Sequence, residues 1–191
     1  GYTERGVALD ERGEPCWARR PATPALQTEL ARLAGSIAQP FPPGYRSELC
    51  WRVNPWISGL AAALTQGWLL LFDYGLGRAE LYHPQRMSGT LRCHYRHRAH
   101  EDPFLHPGLQ DVSAWVDFTR VAEAATDAGL TVAGYCTQAA FLLGAGIDAE
   151  LDAASNAVQR ARLASEAQQL LMPGELGETF KAMLLTRAAS A

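Results

Sequence analysis

Residues 68–74, WLLLFDY, are the run that most limits what this chain can fold into. The stretch leaves no polar face, as expected of a parallel strand covered by helices on both sides. Its surroundings alternate. Trp56, Ile57, Leu60 and Leu64 recur at helical spacing before it, with Asn54-Pro55 as cap and first-turn proline and Gly67 as the stop. After it come Gly75-Leu76-Gly77 and a polar, irregular stretch over 78–116. Asp117 then caps a helix over 118–128 that Gly129 stops, and strand 130–136, helix 138–143, helix 148–172 and strand 180–187 follow. Helix and strand in turn predict an α/β fold with a largely parallel sheet. Periodicity leaves the direction of the last strand open.

The N-terminal part reads differently. Residues 6–9 and 15–19 predict a hairpin around the Asp10–Gly13 turn, and Leu26, Leu30, Leu33 and Ile37 a helix over 21–38. Pro40, Pro42, Pro43 and Gly44 then make a loop, and Ser47 is placed to cap a helical turn. At 191 residues the chain suits one domain, divided as hairpin 1–20, helical segment 21–66 and sheet 67–191 with the long loop 78–116. A net charge of −3 gives no overall pull toward nucleic acid or anionic lipid. No run reaches the ~18 apolar residues of a membrane span, and the start lacks the apolar segment of a leader. Cys16, Cys50, Cys93 and Cys136 are scattered, which suits free thiols in a reducing cytoplasm. Trp51 and Trp56 read as core, Lys181 as a solvated strand start and 159–162 as a solvent-facing helix surface.

In open α/β sheets ligands bind beyond the carboxyl ends of the strands. Asp73 stands there, able to accept hydrogen bonds from a ligand or to cap the following turn. Gly75-x-Gly77 lacks the third glycine of a dinucleotide loop and reads as a turn. Residues 91–106, LRCHYRHRAHEDPFLH, concentrate arginine, histidine and aromatics. Cys93, His94, His97 and His100 are ligand types without a structural zinc spacing. Arginines beside Tyr95 and Phe104 could bind phosphate and bases, but Glu101, Asp102 and Asp111 dilute them. The preferred reading is an ordered loop over an active site, its arginines paired with local carboxylates. Asp111 and Asp117 could together grip a guanidinium, or serve as loop partner and helix cap.

LLLFDYG (69–75), YHPQR (82–86), GTLRCHYRHRAHEDPF (89–104), HPGLQD (106–111) and VDF (116–118) resemble the MidA-like methyltransferases, bacterial relatives of a mitochondrial complex I assembly methyltransferase. Ser47-Glu48, FLLGAGI (141–147) and the tail MPGELGETFKAMLLTR (172–187) extend the match over nearly the whole chain. The resemblance implies a Rossmann-like class I methyltransferase sheet in which 68–74 is the fifth strand, 130–136 the sixth and 180–187 an antiparallel seventh. It implies S-adenosylmethionine as donor and a protein arginine as acceptor. Asp73 would be catalytic, with Tyr74, Gly75, Arg92, His97, Asp111 and Asp117 toward the substrate.

The family's glycine-rich E-x-G-x-G donor loop and N-E-x-L-D-A segment have no counterpart here. The expectation is therefore the C-terminal half of the enzyme, inactive and unable to bind donor alone, with no donor-binding or metal-binding residues of its own. Its exposed sheet edge could pair with another chain, a homo-oligomer included. A non-catalytic module that binds a partner protein through the arginine-histidine loop, and an RNA-binding or RNA-modifying protein, are the alternatives from other classes.

Overall fold

Residues 1–189 are described by a computed structural model, and they divide into two units. The first holds Gly1–Trp51 and Tyr82–Ala114; the second holds Arg52–Leu81 and the chain from Trp115 onward.

The first unit opens with β1 (Thr3–Leu9) and β2 (Pro15–Pro21), paired antiparallel from Thr3 opposite Pro21 to Leu9 opposite Pro15. Asp10 Oδ1 closes the turn by accepting from the amides of Arg12 and Glu14. Helix α1 (Pro24–Gly35) starts later than the spacing of leucines alone predicts. Thr23 Oγ1 accepts from Leu26 N at 3.3 Å and Pro24 occupies the first turn, while Pro21 is still part of the hairpin. No helical turn forms behind Ser47. The segment is held sideways instead: Arg46 N donates to Met87 O, and the Glu48 carboxylate accepts from Thr90 N at 2.8 Å and Thr90 Oγ1 at 3.1 Å.

In the second unit, α2 (Val53–Ala63) takes Asn54 into the helix rather than using it as cap, and the Asn54 Oδ1 accepts from Arg120 Nε at 2.8 Å. Gly67, at φ +121, opens β3 (Gly67–Leu76) instead of ending the helix. Leu69 and Leu71 of β3 pack on the core, while Trp68, Phe72 and Tyr74 are exposed. Two-faced burial of this strand is thus corrected to one-faced burial among the described residues. A short helix, α3 (Arg78–Leu81), follows.

The stretch expected to be irregular contains a small sheet in the first unit. β4 (Arg92–Tyr95), β5 (Arg98–His100) and β6 (Asp111–Ser113) lie in the order β5-β4-β6, each neighbour antiparallel. Its strands are too short for a periodicity reading to detect.

The chain returns to the second unit through β7 (Val116–Asp117) and α4 (Phe118–Asp127). β8 (Thr131–Thr137) and α5 (Gln138–Gly144) follow. The expected long helix is two helices, α6 (Ile147–Asp152) and α7 (Ala157–Leu171). Asn156 Oδ1 caps α7 at Gln159 N, 2.9 Å, and Gln159 reaches back to the amide and hydroxyl of Ser155. This reciprocal capping offers the backbone a fresh start that an unbroken helix would forgo. After α8 (Leu176–Thr179), β9 (Phe180–Arg187) ends the described fold.

The four strands order as β7-β3-β9-β8. β9 is antiparallel to both neighbours, so β3 and β8 run the same way with β9 between them. The sheet is mixed, its one parallel pairing being Gly75–Leu76 of β3 with Val116–Asp117 of β7. Along 67–74, β3 has a paired edge only toward β9. Ile57 and Ala61 of α2, Phe118, Val121, Ala124 and Ala125 of α4, Leu130, and Met183 and Leu185 of β9 form the core. Fully covered side chains such as Ile57 and Leu185 each contribute about 1.5–3 kcal/mol.

Two smaller expectations change. Trp51 and Trp56 are exposed rather than core. Lys181 is buried, because its place on β9 is flanked on both sides by neighbouring strands. No helix among the described residues is long and apolar enough to cross a membrane.

Candidate functional site at the carboxyl end of β3

β3 and β8 bring their carboxyl ends to the same end of the sheet. There Asp73 lies opposite Lys181, and Lys181 lies opposite Thr137 on its other side. Asp73 is exposed, and its Oδ1 accepts from the following amide, Tyr74 N, at 2.7 Å. That leaves the second carboxylate oxygen without a partner among the described residues. Lys181 turns its ammonium to the Glu178 carbonyl. The Tyr74 ring packs on Phe180 with centroids 3.9 Å apart. Tyr135 stands 5.3 Å from the Phe118 ring, and burial, with help from Glu80 and Asp117, pushes its phenol up to about 12. It is neutral at physiological pH.

Gly75 shows why the strand turns where it does. A Cβ there would sit 2.5 Å from the Val116 carbonyl oxygen and 2.7 Å from the Phe118 ring. The backbone of β3 is therefore pressed onto β7 and the start of α4, and Gly75 serves close packing. At Gly75, then, the space that glycine leaves is filled by the protein itself rather than held open for a ligand, whereas a Cβ at Gly77 would meet only Thr119 Oγ1, at 3.8 Å.

Asp117 is the buried centre of an ion cluster. Its Oδ1 caps α4 by accepting from Arg120 N at 3.0 Å, and its Oδ2 accepts from Arg78 Nε at 3.1 Å. The Arg78 guanidinium also grips Glu123 with both terminal nitrogens, at 2.6 and 2.5 Å. The Glu123 hydrogen bonds, with Asp117 behind them, hold Arg78 well above its ordinary range despite burial. The cap reading of Asp117 thus holds, with an arginine grip added to it. Sequence reasoning did not single out Arg78, and it read Lys181 as a solvated strand start. The available signal was an arginine directly after the glycine turn, with acids at the cap of a later helix and in its second turn, Asp117 and Glu123.

The remaining candidates, Arg92, His97 and Asp111, belong to the first unit, so the sequence pairing of Asp111 with Asp117 joins residues of different units. Arg92 donates to Glu101 at 2.5 Å, an exposed pair worth about 0–1 kcal/mol. Asp111 lies opposite His94 across β4 and β6. Strand alternation sends Cys93 and His94 to opposite faces; Cys93 is buried opposite His100, and burial raises its thiol. Among the described residues no three histidine, cysteine or acidic side chains converge as a metal would require.

His97 sits in a strained place. Arg96 and His97 form the two-residue turn of the β4–β5 hairpin at φ 48 and 63, a conformation that favours asparagine and glycine. Each costs on the order of 1 kcal/mol. The paired replacement Arg96→Asn with His97→Gly should therefore raise stability by about 1–2 kcal/mol, read as a higher urea midpoint. An unchanged or lower midpoint would mean that the side chains repay the strain locally.

Residues 1–136 match the model of a family described as "Putative S-adenosyl-L-methionine-dependent methyltransferase", and the chain belongs to that family. Two crystal structures from Burkholderia thailandensis are similar to it over its full length. One, a native structure of an uncharacterized protein, is 40% identical with a TM-score of 0.88, the match covering 100% of this chain and 50% of that one. The other, described as a "likely methyl transferase" bound to S-adenosyl-homocysteine, is 40% identical with a TM-score of 0.87, covering 100% and 49%. The chain thus spans about half the length of these solved relatives. No curated protein matches it.

Proposed function

We propose that this chain supplies the acceptor side of an S-adenosylmethionine-dependent methyltransferase whose acceptor is a protein arginine, as in the MidA-like branch. In this reading β3, β8 and β9 are the fifth, sixth and antiparallel seventh strands of a Rossmann-like class I sheet. Two parallel strands with an antiparallel one between them support that assignment. The match to about half of each longer relative fits a part of a longer catalytic domain, and the resemblance described above makes that part the C-terminal one. The donor is assigned to residues outside the chain, because the glycine-rich donor loop of the family it resembles has no counterpart in the sequence.

The observation that carries the reading is the open oxygen of Asp73 at the strand's carboxyl end. An arginine acceptor is protonated at neutral pH and must be oriented by an anion before it can react. Asp73, fixed through Tyr74 N, accepts a guanidinium N–H on its free oxygen and takes up the proton that this nitrogen loses on methylation, passing it on to water. Tyr74, braced by Phe180, stands at the same strand end on the opposite face of the sheet. Gly75 and Asp117 hold the strand end in place through the packing on Phe118 and the Arg78 cluster.

The experiment is intact-mass and fragment analysis of protein substrates after incubation with the full-length enzyme and S-adenosylmethionine. Added methyl groups should fall on arginine. Methylation confined to RNA, or to other side chains, would overturn the acceptor assignment.

A further inference from the structure

The β1–β2 hairpin presents two different faces. On one, Arg20 lies opposite Glu4 and donates to it at 3.0 Å. On the other, Arg5 lies directly opposite Arg19, and Val7 opposite Trp17. Like charges opposed across strands cost stability, roughly 0.2–1 kcal/mol. Neither arginine is given a carboxylate by the described residues. Arg46 adds a third cation nearby; partial burial, Arg46 and Arg19 together lower the Arg5 guanidinium below its ordinary range. The nearest acid, Glu48, already has its carboxylate on Thr90. Beside the arginines the face is apolar and open: Val7, Leu9 and Trp17 are exposed. Trp17 is held by Arg5 at 3.8 Å over its ring and by the edge of Phe104 at 5.0 Å.

We propose that this face of the hairpin, built from Arg5, Arg19, Val7 and Trp17, docks an acidic segment of a partner protein that interleaves carboxylates with apolar side chains. Carboxylates relieve the repulsion by taking the two forks, and apolar side chains cover Val7 and Trp17. The charge pattern favours a peptide over nucleic acid. Arg5 occupies one face of the Trp17 ring, where a base would stack, and the chain as a whole carries −3.

The test uses the full-length protein and a fluorescein-labelled peptide of alternating glutamate and leucine, read by anisotropy. Binding should weaken at least about tenfold in the Arg5→Gln, Arg19→Gln double variant and with added salt. Arg12→Gln, in the turn, should leave it unchanged. The double variant removes both a repulsion and the Arg5–Trp17 cation–π contact, effects of similar size, so it should melt close to wild type. Reversal of both charges, Arg5→Glu with Arg19→Glu, should switch preference to a lysine–leucine peptide, which a merely structural role would not do. Wild-type binding by the double variant would overturn the proposal. So would a failure of the reversed variant to switch, or tighter binding of a single-stranded oligonucleotide or anionic vesicles than of the peptide.

Discussion

Gly75→Ala should destabilise the protein by about 1–3 kcal/mol, although it adds one methyl group at a backbone conformation any residue can adopt. The cause is contact alone. The added carbon would lie 2.5 Å from the Val116 carbonyl and 2.7 and 2.8 Å from two atoms of the Phe118 ring. Neither neighbour can yield freely: Val116 is in the parallel pair with Gly75, and Phe118 is buried core at the start of α4. Relief requires parting β3 from β7, which opens the end of the strand that carries Asp73. Thermal melting of the full-length protein should fall by several degrees. Gly6→Ala is the control, since nothing lies within 4 Å of a Cβ there; it should stay within about 0.5 kcal/mol of wild type. Equal effects of the two would refute the packing argument.

The second large effect belongs to Arg78→Met, expected to cost about 3–5 kcal/mol. The guanidinium is almost wholly enclosed and serves Asp117 and Glu123 at once. Removing it strands the Asp117 carboxylate in a buried site with only the Arg120 amide for company among the contacts described above. Glu123→Gln should cost much less, because that side chain is 40% exposed and water can replace the arginine. Arg78→Met combined with Asp117→Asn should recover part of the loss, since the stranded charge is then gone. Urea denaturation of the three variants measures this directly. An Arg78→Met variant as stable as wild type would mean that the cluster is not holding the strand end.

Much of this organisation is legible in the sequence because it depends on local chemistry. Asp117 is followed by a helix with no better cap available, and 180–187 is the only apolar run that could end the sheet; both stand as expected. What failed depended on partners far along the chain. WLLLFDY looks buried on both faces, yet periodicity cannot say what covers each face, and here one face carries exposed Trp68, Phe72 and Tyr74. Lys181 looks like a solvated end until β9 is seen to lie between two strands. The region 148–172 has enough helix formers to read as one helix, and the Asn156–Gln159 capping that divides it is a subtler signal. Asp73 could be placed at a strand end from the sequence; the open oxygen left by the Tyr74 hydrogen bond could not.

Asp73→Asn in the full-length enzyme separates the acceptor side from the donor side in one variant. Calorimetric titration with S-adenosyl-homocysteine should give the wild-type affinity, while methyl transfer to a protein arginine falls about 100-fold or more. Loss of S-adenosyl-homocysteine binding together with turnover would put Asp73 in the donor site, and wild-type turnover would remove it from the reaction altogether.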